Sequence, residues 1–275
     1  LAPMTAAIWS SPLRRAEEFP ASFLIRFFRN HGLLQIFDRP QWKTIPGGSR
    51  RYVERLAAPL AGSIRLNSPV TRVRREVDGV GVQVRREPPL RFDAVVMAAH
   101  APATLAILDD ASPQERAVLS QFPYQANRAV LHTDASLLPR RRRAWASWNF
   151  LVLPDEERPA AVTYDLNRLQ RLGANAPICV TLNPPAEIPA DKTLAETTYH
   201  HPLYSAAAIR AQGFHDSVNR DRTYFCGAYW GNGFHEDGVN SALAVCRRFD
   251  LDLDELDRCE VVSTKASSAT LAAVR

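Results

Sequence analysis

Residues 222–249 constrain the fold of this chain more than any other segment, because they combine a short apolar strand, a glycine-rich turn and a helix. The strand covers residues 223–226, and Val239, Leu243 and Cys246 keep helical spacing after the turn. Four of the chain's 12 glycines lie in or beside this turn: Gly227, Gly231, Gly233 and Gly238. A strand that enters a helix through such a turn directs backbone N–H groups and a positive helix end toward an anionic or electron-rich ligand.

Polar and aromatic side chains in the same turn are candidates for contact with that ligand. His235, Glu236 and Asp237 predict either a polar cluster beside a cofactor or ordinary turn and capping chemistry. Tyr229 and Trp230 lie between glycines, so we expect them to be the least core-like aromatic residues and to contact a planar ligand.

Residues 64–99 predict a β region. Alternating valines predict a hairpin that turns at Asp78-Gly79, and Ile64–Leu66 predicts another short strand. The apolar run Phe92–Ala99 predicts a strand that is covered on both faces. We expect a helix after Pro102, with His100 at the strand end as a weaker ligand candidate.

Residues 1–42 predict helices, one of which carries a phenylalanine-rich face. Phe19, Phe23 and Phe27 recur at helical spacing, so this face is expected in the core or around an apolar cavity. The alternative is a helix that lies on a membrane surface. A helix end is predicted at Gly32.

Residues 43–60 predict a turn followed by a helix. The turn lies at Gly47-Gly48, and Ser49 is a candidate N-cap for the helix. Tyr52 and Val53 begin an apolar helical stripe that continues at Leu56 and Leu60.

Residues 110–221 predict strands mixed with helices. The strand candidates are Arg128–Thr133, Trp145–Leu153, Ala161–Tyr164 and Ile178–Leu182, and Asn167–Leu172 is a candidate short helix. The adjacent His200 and His201 would face opposite sides of a strand, so no metal site is predicted.

Composition narrows the class of protein. The 275 residues are 46% hydrophobic and 23% charged, which indicates a globular chain and excludes disordered and collagenous classes. The net charge of +5 is too diffuse to predict nucleic-acid binding, and Arg140–Arg143 predicts either a solvated loop or a phosphate or lipid contact. The four widely spaced cysteines predict reduced thiols, as in a cytoplasmic protein. The alternative location is peripheral, at the inner face of the membrane.

Several motifs together resemble flavin-containing oxidoreductases of the amine-oxidase superfamily, and in particular its branch of predicted NAD/FAD-binding proteins. They are WKTIPGGSRRYVERLA, SPVTRV, FDAVVMAAHAPATLAIL, AVLHTDASLLPRRRRAWASWN, VTLNP, YHHPLY and CGAYWGNGFHEDGVNSALAV. The resemblance implies a mixed α/β fold in which a discontinuous FAD-binding domain is combined with a substrate domain of sheet and helices. The family's GxGxxG segment has no counterpart here, so the fold is expected to be partial, with that segment supplied in trans as one alternative.

The resemblance also implies domain boundaries and cofactor contacts. Residues 43–108 and 222–249 would form the partial FAD-binding domain, residues 1–42 and 109–221 the substrate domain, and residues 250–275 stay unassigned. FAD would contact Val70, Gly47, Gly48, Gly227, Ala228, Tyr229, Trp230, Gly233, His235, Glu236, Asp237, Gly238 and Val239. The helix is expected to begin near Gly238 and Val239.

The implied function is FAD-dependent oxidation, in which a hydride leaves an apolar organic substrate for the flavin. The Phe-rich face suggests an acyl chain or lipid as that small-molecule substrate, and no catalytic residue is assigned. Two alternatives stay open: a catalytically inactive fragment of the same family, and a flavin-free module that binds lipid or protein through the Phe-rich face. Because the dinucleotide-binding unit would pack beside the Phe92–Ala99 strand, we also expect an open apolar edge there.

Overall fold

A computed structural model of the chain describes residues 2–38, 40–41, 43–155 and 157–253. Backbone contacts divide it into two compact units. Among the described residues, unit 1 comprises those in 2–48 and 124–206, and unit 2 those in 49–123 and 207–253. Residues 109–123 and 207–221, which we expected in the substrate domain, therefore pack with the glycine-rich segment in unit 2. The roles of the two units stay predictions.

Helices and strands are mixed throughout the described residues, which confirms the predicted α/β class. The helices are α1 (Ala2–Trp9), α2 (Ala21–Asn30), α3 (Arg50–Ala57), α4 (Ala101–Ile107), α5 (Pro113–Leu119), α6 (Leu166–Leu169), α7 (Ala206–Gln212), α8 (His215–Val218) and α9 (His235–Cys246). The strands are β1 (Val70–Glu76), β2 (Gly79–Val84), β3 (Leu90–Phe92), β4 (Val95–Met97), β5 (Tyr124–His132), β6 (Trp148–Leu151), β7 (Ala161–Asp165), β8 (Cys179–Leu182), β9 (Thr193–Pro202) and β10 (Thr223–Phe225).

Unit 1 is built on a five-stranded antiparallel sheet in the order β6-β7-β8-β5-β9. Four of its strands overlap predicted segments, which are short runs of apolar, aromatic and β-branched residues. The fifth, β9, was not predicted, since its threonines, histidines and Glu196 show no alternation of apolar and polar residues. One face of the sheet packs through Val162 and Ala160 against Ala6 and Ala7 of α1.

The Phe-rich face of α2 lies in the core of unit 1. Phe23 and Phe27 are 2% and 3% exposed, and their rings lie 5.4 and 4.8 Å from that of Trp9. Tyr204 stacks on Phe23 at 5.3 Å and also contacts Trp9 at 6.3 Å. The predicted core alternative is thus confirmed, and this face does not present its phenylalanines to a membrane. Gly32 adopts the predicted left-handed conformation at φ +64°.

A row of buried polar side chains crosses the opposite face of this sheet. The Nδ1 atom of His132 accepts the N–H of Asp134 at 3.1 Å, which places the ring proton of the neutral imidazole on Nε2. That Nε2–H donates to Thr181 at 2.7 Å, and the Thr181 and Thr163 hydroxyls are 2.8 Å apart. This chain of hydrogen bonds requires neutral His132. Burial favours the neutral imidazole, and the hydrogen bonds select the tautomer that carries its proton on Nε2.

We expect this arrangement to make folding stability depend on pH. Burial lowers the pKa of His132, and likewise that of His215, below the ordinary value near 6.5. The unfolded chain then binds more protons below about pH 6.5, so stability is complete above that pH and decreases as the pH falls through it. The urea midpoint should be lower at pH 5.5 than at pH 7.5, and His132→Gln should reduce the difference. Equal midpoints at the two pH values would contradict the expectation.

Unit 2 contains two further sheets. One is the antiparallel sheet β1-β2-β3, and the other is the parallel pair β10-β4. Leu108, after α4, connects them, because it forms a parallel bridge with Val73 of β1 and the next N–H donates to the Val73 carbonyl at 2.9 Å. This connection places β1 beside Leu108 and Asp109, in the segment that follows β4 and α4.

Three predictions in this region were wrong in detail. Residues Ile64–Leu66 form no strand, and the hairpin turns at Val77-Asp78, with Gly79 already paired to Glu76. The run Phe92–Ala99 is divided at Asp93 into β3 and β4 rather than forming one strand. Val96 is 47% exposed, so β4 is not covered on both faces, and within the described residues β4 pairs with β10 alone.

The apolar stripe predicted to begin at Tyr52 lies on a helix that buries none of its residues. Ser49 holds the N-cap position of α3, but its side chain makes no capping hydrogen bond. None of the described helices is long and apolar enough to cross a bilayer. Within the described part of the chain, Cys179, Cys226 and Cys246 are free thiols, and Cys259 lies outside it.

Candidate functional site

The glycine-rich segment begins where two parallel strands end together. Phe225 of β10 is in register with Met97 of β4, and the next N–H, from Cys226, donates to the Met97 carbonyl at 3.1 Å. The chain then enters residues 227–234, which lead into α9. In sheets with parallel strands, ligands bind outside the carboxyl ends, so this edge is the place to look for a site.

Gly227, the first residue after the strand pair, is held in a conformation that only glycine adopts readily. Its φ and ψ are +150° and +159°. A Cβ atom here would lie 2.6 Å from the ring of Tyr229. Ser241 of α9 holds the residue, because its hydroxyl accepts the Gly227 N–H at 2.9 Å. The hydroxyl hydrogen has two acceptors within reach, the Gly238 carbonyl at 2.8 Å and the Gly227 carbonyl at 3.1 Å. The Gly227 amide is therefore engaged within the chain.

The rest of the loop is held from two sides. The Gln212 side-chain amide donates to the carbonyls of Tyr229 and Gly231 at 3.0 and 2.6 Å. The Asp237 carboxylate accepts the N–H of Phe234 at 3.0 Å. It approaches Gly231 so closely that a Cβ there would lie 2.3 Å from Asp237 Oδ1. Gly233, at φ +94°, completes the turn.

The helix begins at His235, which is three residues before the predicted start at Gly238. Asp237 caps this end, so the capping interpretation of that residue is correct. Glu236 and Asp237 also lie in the first turn, where the positive end of the helix dipole favours acidic side chains. The N–H groups of a first turn have no acceptor within their own helix, so they remain as donors at this edge.

His235 is joined to α3 by a hydrogen bond. Its Nδ1 atom lies 2.6 Å from the Tyr52 hydroxyl, and the two rings are 6.0 Å apart in an edge-on arrangement. The contact ties the helix that follows the Gly47-Gly48 turn to the start of α9. It fixes the imidazole at the mouth of the loop.

Tyr229 and Trp230 do not occupy the exposed position that we expected. They are 2% and 9% exposed and pack on Phe122, with ring centroids 4.9 and 5.1 Å apart. His215 lies 4.6 Å from Trp230 on another side. The flanking glycines allow the chain to turn these rings inward, so they form the floor under the loop. The expectation that they are the least core-like aromatic residues was wrong.

The other predicted cofactor residues lie in different places. Val70 is half-buried at the start of β1, and Ala228 and Gly238 are half-buried in the loop and in α9. Glu236 and Val239 are exposed on α9. Gly47 and Gly48 both have positive φ, at +81° and +85°, and belong to unit 1. The structure thus places residues 227–239 in one loop and helix start. Their contacts with a cofactor, like those of Val70, Gly47 and Gly48, stay predictions.

Sequence patterns missed three residues that shape this site: Tyr52, Gln212 and Ser241. Ser241 lies one helical turn after Gly238, which is the only signal that could have suggested its contact with the loop. Nothing in the sequence around Gln212 or Tyr52 marks their partners.

No metal chemistry is added by the surroundings. Among the described residues no three histidine, cysteine or acidic side chains converge as metal ligands. Burial raises the pKa of the nearby Cys226 thiol to about 11, so it is a poor nucleophile at neutral pH.

Comparison with known proteins finds one family that part of this chain resembles. Residues 6–137 match the family described as flavin containing amine oxidoreductase. The match covers just under half of the chain, so over these residues the chain is similar to the flavin containing amine oxidoreductases. FAD is the cofactor that goes with this family. No protein of the curated set matches the chain.

Solved structures share the fold of this amine-oxidase relative. A fatty acid isomerase from P. acnes that produces CLA is 18% identical with a TM-score of 0.61, covering 89% of this chain and 63% of its own. Cyclohexylamine oxidase from Brevibacterium oxydans is 13% identical with a TM-score of 0.57, covering 91% and 64%. Putrescine oxidase bound to putrescine is 12% identical with a TM-score of 0.51, covering 74% and 53%. The amine-oxidase relative thus spans less than two thirds of each of these chains.

The residues present fit the flavin family's cofactor at one end. The edge beyond β10 offers a positive helix end, a glycine-rich loop and a histidine held in place, which suit an electron-rich or anionic group. The Gly227 amide is not available to such a group, because Ser241 accepts its hydrogen. The first turn of α9 is therefore the candidate donor set of this chain for the cofactor.

Proposed function

We propose that this chain contributes the flavin end of an FAD site in an oxidoreductase. The observation that carries the proposal is the parallel pair β4–β10, which ends at a loop clamped by Ser241 in front of the N-terminus of α9. Similarity to the flavin containing amine oxidoreductases supports FAD as the cofactor. The remaining contacts with FAD come from Val70, Gly47 and Gly48, and from a dinucleotide-binding segment beside the open edge of β4, in the same polypeptide or in trans.

In this proposal each part of the edge has a physical task. The first turn of α9 stabilises negative charge on the bound group, because its N–H dipoles are already oriented and need no rearrangement. His235, held by Tyr52, places a polar ring atom at the rim. Tyr229 and Trp230 keep the loop rigid from below rather than stacking on the ligand. FAD, when bound, supplies the acceptor for a hydride from the substrate.

The proposed substrate is a small apolar organic molecule, bound by unit 1 in its predicted role as the substrate domain. An acyl chain is one such substrate, and the fold neighbour from P. acnes is a fatty acid isomerase. The phenylalanines of α2 are buried, so they do not themselves offer a free lipid-binding face. This burial counts against the alternative of a flavin-free module acting through that face. In this proposal the protein acts in the cytoplasm, with peripheral contact at the inner membrane face as the alternative.

The first experiment is direct titration of the purified chain with FAD, followed by flavin absorbance and fluorescence. We expect binding, and we expect Val239→Asp to lower the affinity by about tenfold, because a carboxylate in the first half of α9 repels the anionic cofactor. Val77→Asp is a matched control, since it makes the same change on a turn that is 95% exposed in the same unit. Equal FAD affinity of the two variants would show that the FAD site does not lie at the N-terminal end of α9. A chain that ignores FAD would support the inactive-fragment alternative.

A further inference from the structure

The strand β9 is an unusually open edge of the unit 1 sheet. It runs for 10 residues and pairs with β5 on one side. Within the described residues no strand pairs with its other side, and residues 194–200 are exposed. Such an edge presents a row of backbone donors and acceptors that can pair with another strand.

Both ends of β9 carry features that stop pairing with a further strand, but its middle does not. The register with β5 shifts between Leu131 and His132, which leaves Leu194 in a bulge, and Pro202 at the other end has no N–H to donate. Between them Ala195–His201 is a regular stretch that contains no proline and no lysine. Thr198 is its central residue.

We propose that β9 pairs antiparallel with β9 of a second copy of this chain, about a two-fold axis at Thr198. An antiparallel pair related by such an axis is self-complementary, since the same surface is used on both copies. With the axis at Thr198, the regular stretch of one copy covers the same stretch of the other from end to end. The bulge and the proline then meet at the two ends, where pairing stops.

Side-chain chemistry selects the same register. The axis at Thr198 sets Glu196 opposite the partner's His200 and Thr197 opposite the partner's Tyr199, and each pair occurs twice. Acid–histidine and β-branched–aromatic pairs are both favourable across strands. An axis at Glu196 would set two carboxylates against each other.

Charge around Glu196 also suits a histidine from the partner. Arg128 donates to both Glu196 and Glu187, at 2.6 and 2.8 Å, so this cluster carries one excess negative charge on each copy. A neighbouring imidazole can donate a ring N–H to this carboxylate cluster. No other charged side chain lies in the regular stretch to oppose the pairing.

The register is tested by cysteine cross-linking. Thr198→Cys puts two thiols opposite each other, with Cα atoms about 4.5–5.5 Å apart, which is within disulfide range. In the same register His200→Cys places its two copies about 13 Å apart along the strands, beyond that range. Under mild oxidation we expect a covalent dimer from Thr198→Cys and none from His200→Cys or from the parent chain. Equal cross-linking of the two variants, or none from Thr198→Cys, would overturn the proposal.

Charge variants at His200 supply a second measurement, by sedimentation, of the dimer dissociation constant. His200→Lys sets a full positive charge opposite the partner's Glu196 and should tighten the dimer, whereas His200→Glu should weaken it. With two pairs in each dimer, we expect changes of about twofold to thirtyfold in opposite directions. Changes in the same direction would indicate a different partner strand, and a monomer at all concentrations would reject self-pairing. Neither outcome depends on FAD binding.

Discussion

Replacing Gly227 with alanine should destabilise the chain by about 2–6 kcal/mol, one of the two largest effects that we expect. Two costs add. The residue is at φ +150°, where an L side chain costs about 1–3 kcal/mol. The new Cβ would also lie 2.6 Å from the ring of Tyr229, and overpacking of that kind costs about 1–3 kcal/mol. Tyr229 cannot yield easily, because it is 2% exposed and packed on Phe122 and Trp230.

Gly238→Ala is the matched control, and its effect should have the opposite sign. Gly238 lies inside α9, and a Cβ there would meet nothing closer than the Ala228 nitrogen at 3.8 Å, an ordinary contact. Alanine is favoured over glycine in a helix interior by about 0.5–1 kcal/mol. Urea unfolding of both variants separates the cases. If Gly227→Ala unfolds at the same urea concentration as the parent, the close packing of the loop against Tyr229 is refuted.

The contrast between these glycines shows what sequence could and could not predict about the site. Clustered glycines correctly indicated a turn between a strand and a helix, because few other residues permit such a chain reversal. They did not reveal which glycine is required by geometry and which is not. That distinction depends on Ser241 and Tyr229, whose positions are set by tertiary packing.

The aromatic residues of the loop illustrate the same limit. Flanking glycines made Tyr229 and Trp230 look exposed, but glycine also lets a chain fold back on itself, and here the rings turn toward Phe122. In the fold, strands with alternating apolar residues were predicted well, whereas β9 was missed. An edge strand exposed along most of its length has no buried face to impose a pattern on its sequence.

The second large effect concerns a buried ion pair that holds unit 2 together. Arg75 of β1 binds the carboxylate of Glu115 in α5, and the two side chains are 18% and 3% exposed. The same guanidinium lies 3.5 Å from the Asp110 carboxylate and donates to the Asp221 carbonyl at 3.3 Å. Asp221 lies just before β10, so Arg75 connects the hairpin to the strand that leads into the candidate site.

Glu115 has a further task that raises the cost of losing its partner. It forms a capping box with Ser112, in which its carboxylate accepts the Ser112 N–H at 2.7 Å and its own N–H donates to the Ser112 hydroxyl at 3.2 Å. The carboxylate cannot move to solvent without breaking this cap. If Arg75 is removed, the charge stays buried without its cation.

Arg75→Met should therefore destabilise the chain by about 3–5 kcal/mol, the range found when one partner of a buried pair is lost. Arg14→Met makes the same change at an exposed pair, where Arg14 and Glu157 are 72% and 60% exposed, and should cost less than about 1 kcal/mol. Both free energies come from urea unfolding, with hydrogen exchange of β10 as a local readout. Loss of Arg75 should speed exchange in β10, because the anchor of Asp221 is lost with it. Equal costs for the two variants would mean that Glu115 finds water or another cation when Arg75 is absent, and that the ion pair does not hold the hairpin against the strand.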